Sequence, residues 1–168
     1  MTNKRGFTLI EILVVIAIVG LIGALAAVAV TSARAKQRDA TRIAHVRQIQ
    51  SALEDFFVQN NAYPAGNAVA LGFTGAGCLD TDGFQAACDV AATNALMRAV
   101  PATVPGGING QSSCGGAANA YCYTQFSEGQ TYAVSFELEN AIPEAALAKG
   151  LNCATPDGMN PGACPAAQ

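Results

Sequence analysis

Two sets of residues in this 168-residue chain have the types and spacing for covalent or ionic chemistry. The first is six cysteines, at positions 78, 88, 114, 122, 153 and 164. Zinc sites use closely spaced C-x₂₋₄-C pairs, and dithiol redox centres use C-x-x-C; neither spacing occurs here. An even number of thiols in a loop-rich region points to disulfides made in an oxidising compartment. Six cysteines leave fifteen connectivities open. Pairing of neighbours is the expectation: Cys78–Cys88, Cys114–Cys122 and Cys153–Cys164. Each would close a short loop and contribute about 2–3 kcal/mol on the chain-entropy account.

The second set opens the chain: Lys4-Arg5-Gly6-Phe7-Thr8-Leu9-Ile10-Glu11. Glu11 is the only charge between Phe7 and Ala33, and it follows Phe7 by four residues, on the same face of a helix. A cut between Gly6 and Phe7 would leave a cationic amine on Phe7 at a membrane edge. That amine could pair with Glu11 of the same chain or of another. An unpaired carboxylate in lipid costs a few kcal/mol at the bilayer centre and less near the interface. Pairing with a neighbour's amine would offset that cost and set the axial register between helices. The plainer alternative is a Glu11 that snorkels at the interface of a monomeric anchor.

Other reactive-looking residues carry less. His45, the single histidine, sits among arginines on a helical stretch, where a solvated or packed role outweighs catalysis. Asp80-Thr81-Asp82-Gly83 starts like a calcium loop but lacks the later ligands, so it reads as a surface turn. Gly106-Gly107 and Gly115-Gly116 read as turns rather than nucleotide loops. No nucleophile–base spacing occurs. An enzyme is the least favoured class, and no metal or cofactor is expected.

The elements that must position these residues start with an apolar run that reaches Ala33 and is long enough to cross a bilayer as a helix of about 20 residues. Ala26-Ala27-Val28-Ala29 offers a rival reading, cleavage as a secretory signal, but the run exceeds an h-region. Periodicity then continues at Ile43, Val46, Ile49, Leu53, Phe56 and Phe57, a one-sided apolar stripe. No proline intervenes before Pro64, and Asn60-Asn61 supplies a left-handed stop. The expectation is one helix from about Phe7 to Asn60, roughly 80 Å long. Gly20 and Gly23 are its weak points, at about 1 kcal/mol each relative to alanine.

Beyond the helix, residues 62–120 are rich in Gly, Ala, Asn and Thr. Thr93 to Val100 reads as a short helix ending at Pro101. Tyr121–Phe126 and Tyr132–Leu138 alternate around Ser127-Glu128-Gly129-Gln130, a hairpin with Tyr132, Val134, Phe136 and Leu138 on one face. The stripe at Val46, Ile49, Leu53 and Phe56 is the expected partner of that face. The tail from Asn152 to Gln168 reads as irregular, held by Cys153 and Cys164.

Net charge is −3, but its distribution matters more. Arg34, Lys36, Arg38, Arg42 and Arg47 form a basic collar after the apolar run, offset only by Asp39. Beyond Arg47, ten acidic residues face only Arg98 and Lys149, a local net of −8. The collar suits anionic lipid head groups or acidic surfaces of neighbouring subunits, with a solvated helix face as the plainer alternative. Counting positive charges favours a cytoplasmic C-terminal side; the cysteines favour the opposite, and they carry more weight.

The stretch Lys4-Arg5-Gly6-Phe7-Thr8-Leu9-Ile10-Glu11 followed by a long apolar helix resembles the prepilin signal of type IV pilins and type II secretion pseudopilins. The likeness continues through Gln48-Ile49-Gln50-Ser51-Ala52-Leu53 to Asn61-Ala62-Tyr63-Pro64, about the first third of the chain. It implies an α+β pilin fold: a long N-terminal helix, half transmembrane and half amphipathic, packed on a small antiparallel sheet with disulfide-stapled loops. It divides the chain into a leader (1–6), a transmembrane and filament-core segment (7–33), the amphipathic half (34–61) and an extracytoplasmic head (62–168). It implies cleavage after Gly6 by a prepilin peptidase, N-methylation of Phe7 and a role for Glu11 in recruiting the next subunit. The implied partners are copies of the chain or other pilins, a membrane platform and an assembly ATPase. The implied location is the cytoplasmic membrane with the head outside, then a cell-surface or periplasmic filament. Two departures stand out: Val28 occupies a position where such helices often carry proline, and three disulfides are available where many pilins have one.

Three functions follow in order. The first is a structural subunit of a type IV pilus serving adhesion, motility or DNA uptake. The second is a pseudopilin of a type II-like secretion system, though calcium rather than disulfides is typical of that head. The third is a DNA-binding competence pilin. Nucleic-acid binding needs a basic surface and this head is acidic, so no nucleic-acid partner is expected.

Overall fold

The structure is a computed structural model that describes residues 6–89 and 93–165. Its first element is α1, Leu9–Asn60, 52 residues without a break and so about 78 Å long. Gly20 and Gly23 do not interrupt it. Thr8 rather than Phe7 marks the start, because Thr8 caps the helix. Asn61 ends it in the left-handed conformation (φ 54°), its N–H donating to the Phe57 carbonyl at 2.7 Å.

Ten strands follow among the described residues: β1 Val69–Leu71, β2 Cys78–Asp80, β3 Gly83–Gln85, β4 Ala95–Met97, β5 Ser113–Cys114, β6 Ala117–Ala118, β7 Tyr121–Phe126, β8 Thr131–Leu138, β9 Gly150–Thr155 and β10 Gly158–Pro161. They form a five-stranded sheet ordered β1-β7-β8-β9-β10, a three-stranded sheet β3-β2-β4 and the β5-β6 hairpin. All the described pairings are antiparallel. The layout is α+β: one long helix packed on antiparallel sheets, with three disulfides in the loops.

The core lies between the second half of α1 and the inner face of the large sheet. Val46, Ile49, Ala52, Leu53 and Phe56 meet Tyr121, Tyr123, Tyr132, Val134, Phe136 and Leu138. The β7–β8 hairpin turns through Ser127–Gly129, where three successive residues have positive φ. All four tyrosines are buried. Burial raises Tyr63 and Tyr121 to about 12 and pushes Tyr123 and Tyr132 up as well.

Two expectations are overturned. Thr93–Val100 is not a helix: its central residues form β4, paired with β2 through Leu79–Met97 and Asp80–Ala95. A short apolar run has no diagnostic period, and an unpaired edge on β2 decides the outcome. The tail is regular as far as Pro161, since β9 pairs with β8 from Val134–Ala154 to Leu138–Gly150 and β10 pairs back onto β9; residues 162–165 are irregular as expected, and 166–168 lie outside the described residues. Asn152, fully buried, makes this possible. Its amide accepts from Ala148 N and donates to the Ala148 and Gly150 carbonyls, satisfying the bend before the strand.

The outer face of β8 is also covered. Glu137 accepts hydrogen bonds from Asn109 N (2.7 Å) and Gln111 N (2.9 Å), and Ser112 donates to the Ala120 carbonyl. Loop 105–112 therefore lies across the sheet, and simple alternation of buried and exposed residues is lost there.

Candidate assembly site

The first turn of α1 is organised by Thr8 and Glu11. Thr8 N donates to Glu11 Oε2 at 2.7 Å and Thr8 Oγ1 donates to the same oxygen at 2.8 Å. Glu11 N donates back to Thr8 Oγ1 at 3.3 Å. This is a capping box, with the threonine at the cap and the glutamate three residues on. The lone carboxylate thus has local donors within its own chain, and it also suits the positive end of the helix dipole. The partners expected for Glu11 were an amine on Phe7 or the bilayer interface; the Thr8-Leu9-Ile10-Glu11 spacing also fits the capping pattern. Gly6 and Phe7 precede the helix in exposed positions, with Phe7 84% exposed. Lys4 and Arg5 lie outside the described residues.

No residue from 9 to 33 is buried. Leu9, Ile16, Leu21, Leu25 and Val28 are all more than 60% exposed. By length and composition this stretch is able to cross a membrane. A helix that is apolar all round needs an apolar surrounding, and the head supplies none.

The head grips α1 one and a half turns further on, through a cluster of four charged side chains. Arg42 is completely buried and donates from Nη1 to Asp39 Oδ1 (2.8 Å) and Glu139 Oε1 (2.9 Å). Its other nitrogens donate to the carbonyls of Val104 and Gly106. Arg38 makes a two-pronged contact with Glu139, at 2.6 and 2.7 Å. Asp39 accepts from Glu139 N, Asn140 N and Asn140 Nδ2 at 2.9–3.0 Å. Loop 104–107 passes so close that a Cβ at Gly107 would collide with the Glu139 side chain, at a φ of 69°. The Arg38 hydrogen bond, reinforced by Arg42, holds the Glu139 carboxyl below its ordinary value, and Glu139 in turn raises Arg38.

This cluster corrects the view of a five-residue basic collar. Arg38 and Arg42 turn into the head, while Arg34, Lys36 and Arg47 remain exposed. The Asp39–Arg42 spacing was visible in the sequence; their partner a hundred residues away was not. His45 packs edge-on against Tyr121, with Nδ1 3.2 Å from its hydroxyl, and burial lowers its pKa.

The three disulfides join Cys78 to Cys88, Cys114 to Cys122 and Cys153 to Cys164. Cys122 and Cys153 flank Ser135 in one row across β7, β8 and β9. The β5–β6 hairpin and the segment after β10 are thereby tied to the sheet at the same level. Asp80 and Gly83 close the β2–β3 turn, where Asp82 N donates to Asp80 Oδ1. Among the described residues no group of three or more His, Cys, Asp or Glu is placed to hold a metal ion.

Residues 1–27 match the family described as "Prokaryotic N-terminal methylation motif". That motif is the N-terminal signal of type IV pilins and pseudopilins. No curated protein and no solved structure matches the chain.

Proposed function

We propose that this chain is a structural subunit of a type IV pilus, cut after Gly6, methylated on Phe7 and polymerised through α1. The motif itself supports a pilin or a pseudopilin. The observation that carries the reading further is the pairing of that motif with a helix whose first half the head leaves wholly uncovered. Lipid would cover that half before assembly, and like helices would cover it in a filament. The head's function would then be display rather than chemistry. Prepilin peptidase, neighbouring pilins, a membrane platform and an assembly ATPase are the partners of this scheme. Three disulfides suit an oxidising space outside the cytoplasm, and a head stapled by disulfides rather than by calcium is what favours a pilus over a secretion pseudopilus.

In the cleaved chain, the Phe7 amine of a neighbour would compete with Thr8 for Glu11. Glu11→Ala should still be processed but should yield few or no filaments. Filaments sheared from the cell surface at native expression and identified by mass spectrometry test the pilus reading. Their absence from the surface, with the subunit confined beneath it, would favour the pseudopilin. Normal filament yield from Glu11→Ala would remove Glu11 from assembly.

A further inference from the structure

β8 runs back along α1, from the helix end near Asn61 down to the Asp39 cluster, and the chain then bends through residues 140–146. That bend faces Lys36 and Asp39, within two turns of the end of the apolar run. Between it and the helix lies a cavity of about 360 Å³, lined by Lys36 and Asp39 on one side and by Asn140, Ile142, Pro143 and Glu144 on the other. The Asp39 carboxylate is consumed by Arg42 and by the Glu139 and Asn140 donors. Lys36 and Glu144 make no ion pair among the described residues. The cavity therefore offers one available cation, one available anion and an apolar wall.

Its height along the helix decides what meets it. The apolar run ends at Ala33; at 1.5 Å per residue, Lys36 lies about 4.5 Å beyond and Asp39 about 9 Å beyond. A bilayer's polar layer occupies about 5–8 Å on each side of its hydrocarbon core. With residues 9–33 in the membrane, the Lys36 end of the cavity stands at the level of the lipid head groups and its Asp39 end just above them. A neutral head group with a phosphate and a primary ammonium matches both charges: the phosphate faces Lys36, and the ammonium donates to Glu144. We propose that this cavity seats the head group of one ethanolamine-type phospholipid, which holds the underside of the head against the leaflet before assembly. The seat rests on the reading of residues 9–33 as a membrane span.

The test uses the full chain reconstituted in nanodiscs of equal parts phosphatidylethanolamine and phosphatidylglycerol, with retained lipids weighed by native mass spectrometry. Insertion is scored first, by resistance to alkaline extraction from vesicles; a chain that washes off refutes the span and the seat with it. For an inserted chain, phosphatidylethanolamine should be enriched about fivefold over phosphatidylglycerol, the upper value of one exposed ion pair, here Glu144 with the ammonium. Glu144→Gln should shift retention toward phosphatidylglycerol, and Lys36→Gln should lower retention of both lipids. Arg47→Gln, an exposed cation about 21 Å above Ala33, should change nothing. Both test variants lie outside the core, and retention of the three disulfides checks their folding. Lipid retained in bulk proportion, or enrichment that survives both substitutions, overturns the seat while leaving the span intact. Cross-links between copies that vanish with these substitutions, while lipid retention stays constant, would assign the face to a second copy and also overturn it.

Discussion

From Leu9 to Ala33 α1 buries nothing, whereas between Asp39 and Phe56 it buries seven residues, two of them charged. Both halves belong to one uninterrupted helix, and the more apolar half is the exposed one. Apolar residues on every side leave no face for a small sheet to select. A stripe of Val46, Ile49, Leu53 and Phe56 has one, and the sheet docks on it. The position of the head along the rod is then set by ionic contacts, with Asp39 and Arg42 matched to Glu139 and to the loop carbonyls. The upper half is a mount for the head, and in the proposed pilus the lower half would be the assembly surface.

The contrast breaks most severely at the mount. Arg42→Ala leaves Asp39 and Glu139 buried without their shared cation, and removal of one partner from such a cluster costs about 3–5 kcal/mol. Denaturant unfolding of the head should show a loss of that size; a loss below about 1 kcal/mol would deny the cluster its role. Leucines in the two halves give the next comparison. Leu53 is fully buried and Leu21 is 64% exposed. Leu53→Ala should therefore cost about 2–5 kcal/mol and Leu21→Ala less than about 0.5 kcal/mol of head stability. Equal effects would mean that the halves are not independent.

The pH dependence sharpens the same point. Glu139 ionises below its ordinary 4.5 in the folded head, chiefly because Arg38 donates to it. The unfolded chain therefore takes up the proton first. The stabilisation is complete above 4.5 and is lost as pH falls through that value towards the depressed folded one. Unfolding midpoints between pH 7 and pH 3 should fall, and less steeply in Glu139→Gln; an unchanged slope in that variant would contradict the assignment. The smallest effect belongs to the other end of the rod. Thr8→Ala removes the cap at about 1 kcal/mol and should raise amide exchange in the first turn alone, with Leu53 and its neighbours unchanged.

Much of this was legible in the chain. The length of α1, its stop at Asn61, the β7–β8 hairpin and the face that meets the stripe all follow from local periodicity and turn chemistry. β4 and β9 did not, because a three-residue run and a polar, glycine-flanked segment become strands only when a neighbour offers an unpaired edge. The charge cluster was hidden for the same reason. Arg38 and Arg42 look like any solvated helix residues until Glu139 arrives from a hundred positions away. Thr8 differs: its capping pattern with Glu11 is local and can be read from four consecutive residues.

The most direct test of an exposed, retained apolar half is the intact mass of the mature chain purified from membranes or filaments. The expected mass corresponds to a chain that begins at Phe7, heavier by one methyl group and lighter by two hydrogens for each of the three disulfides. A mature N-terminus near Ala29 would mean that most of the apolar half is discarded, and would contradict its role in assembly.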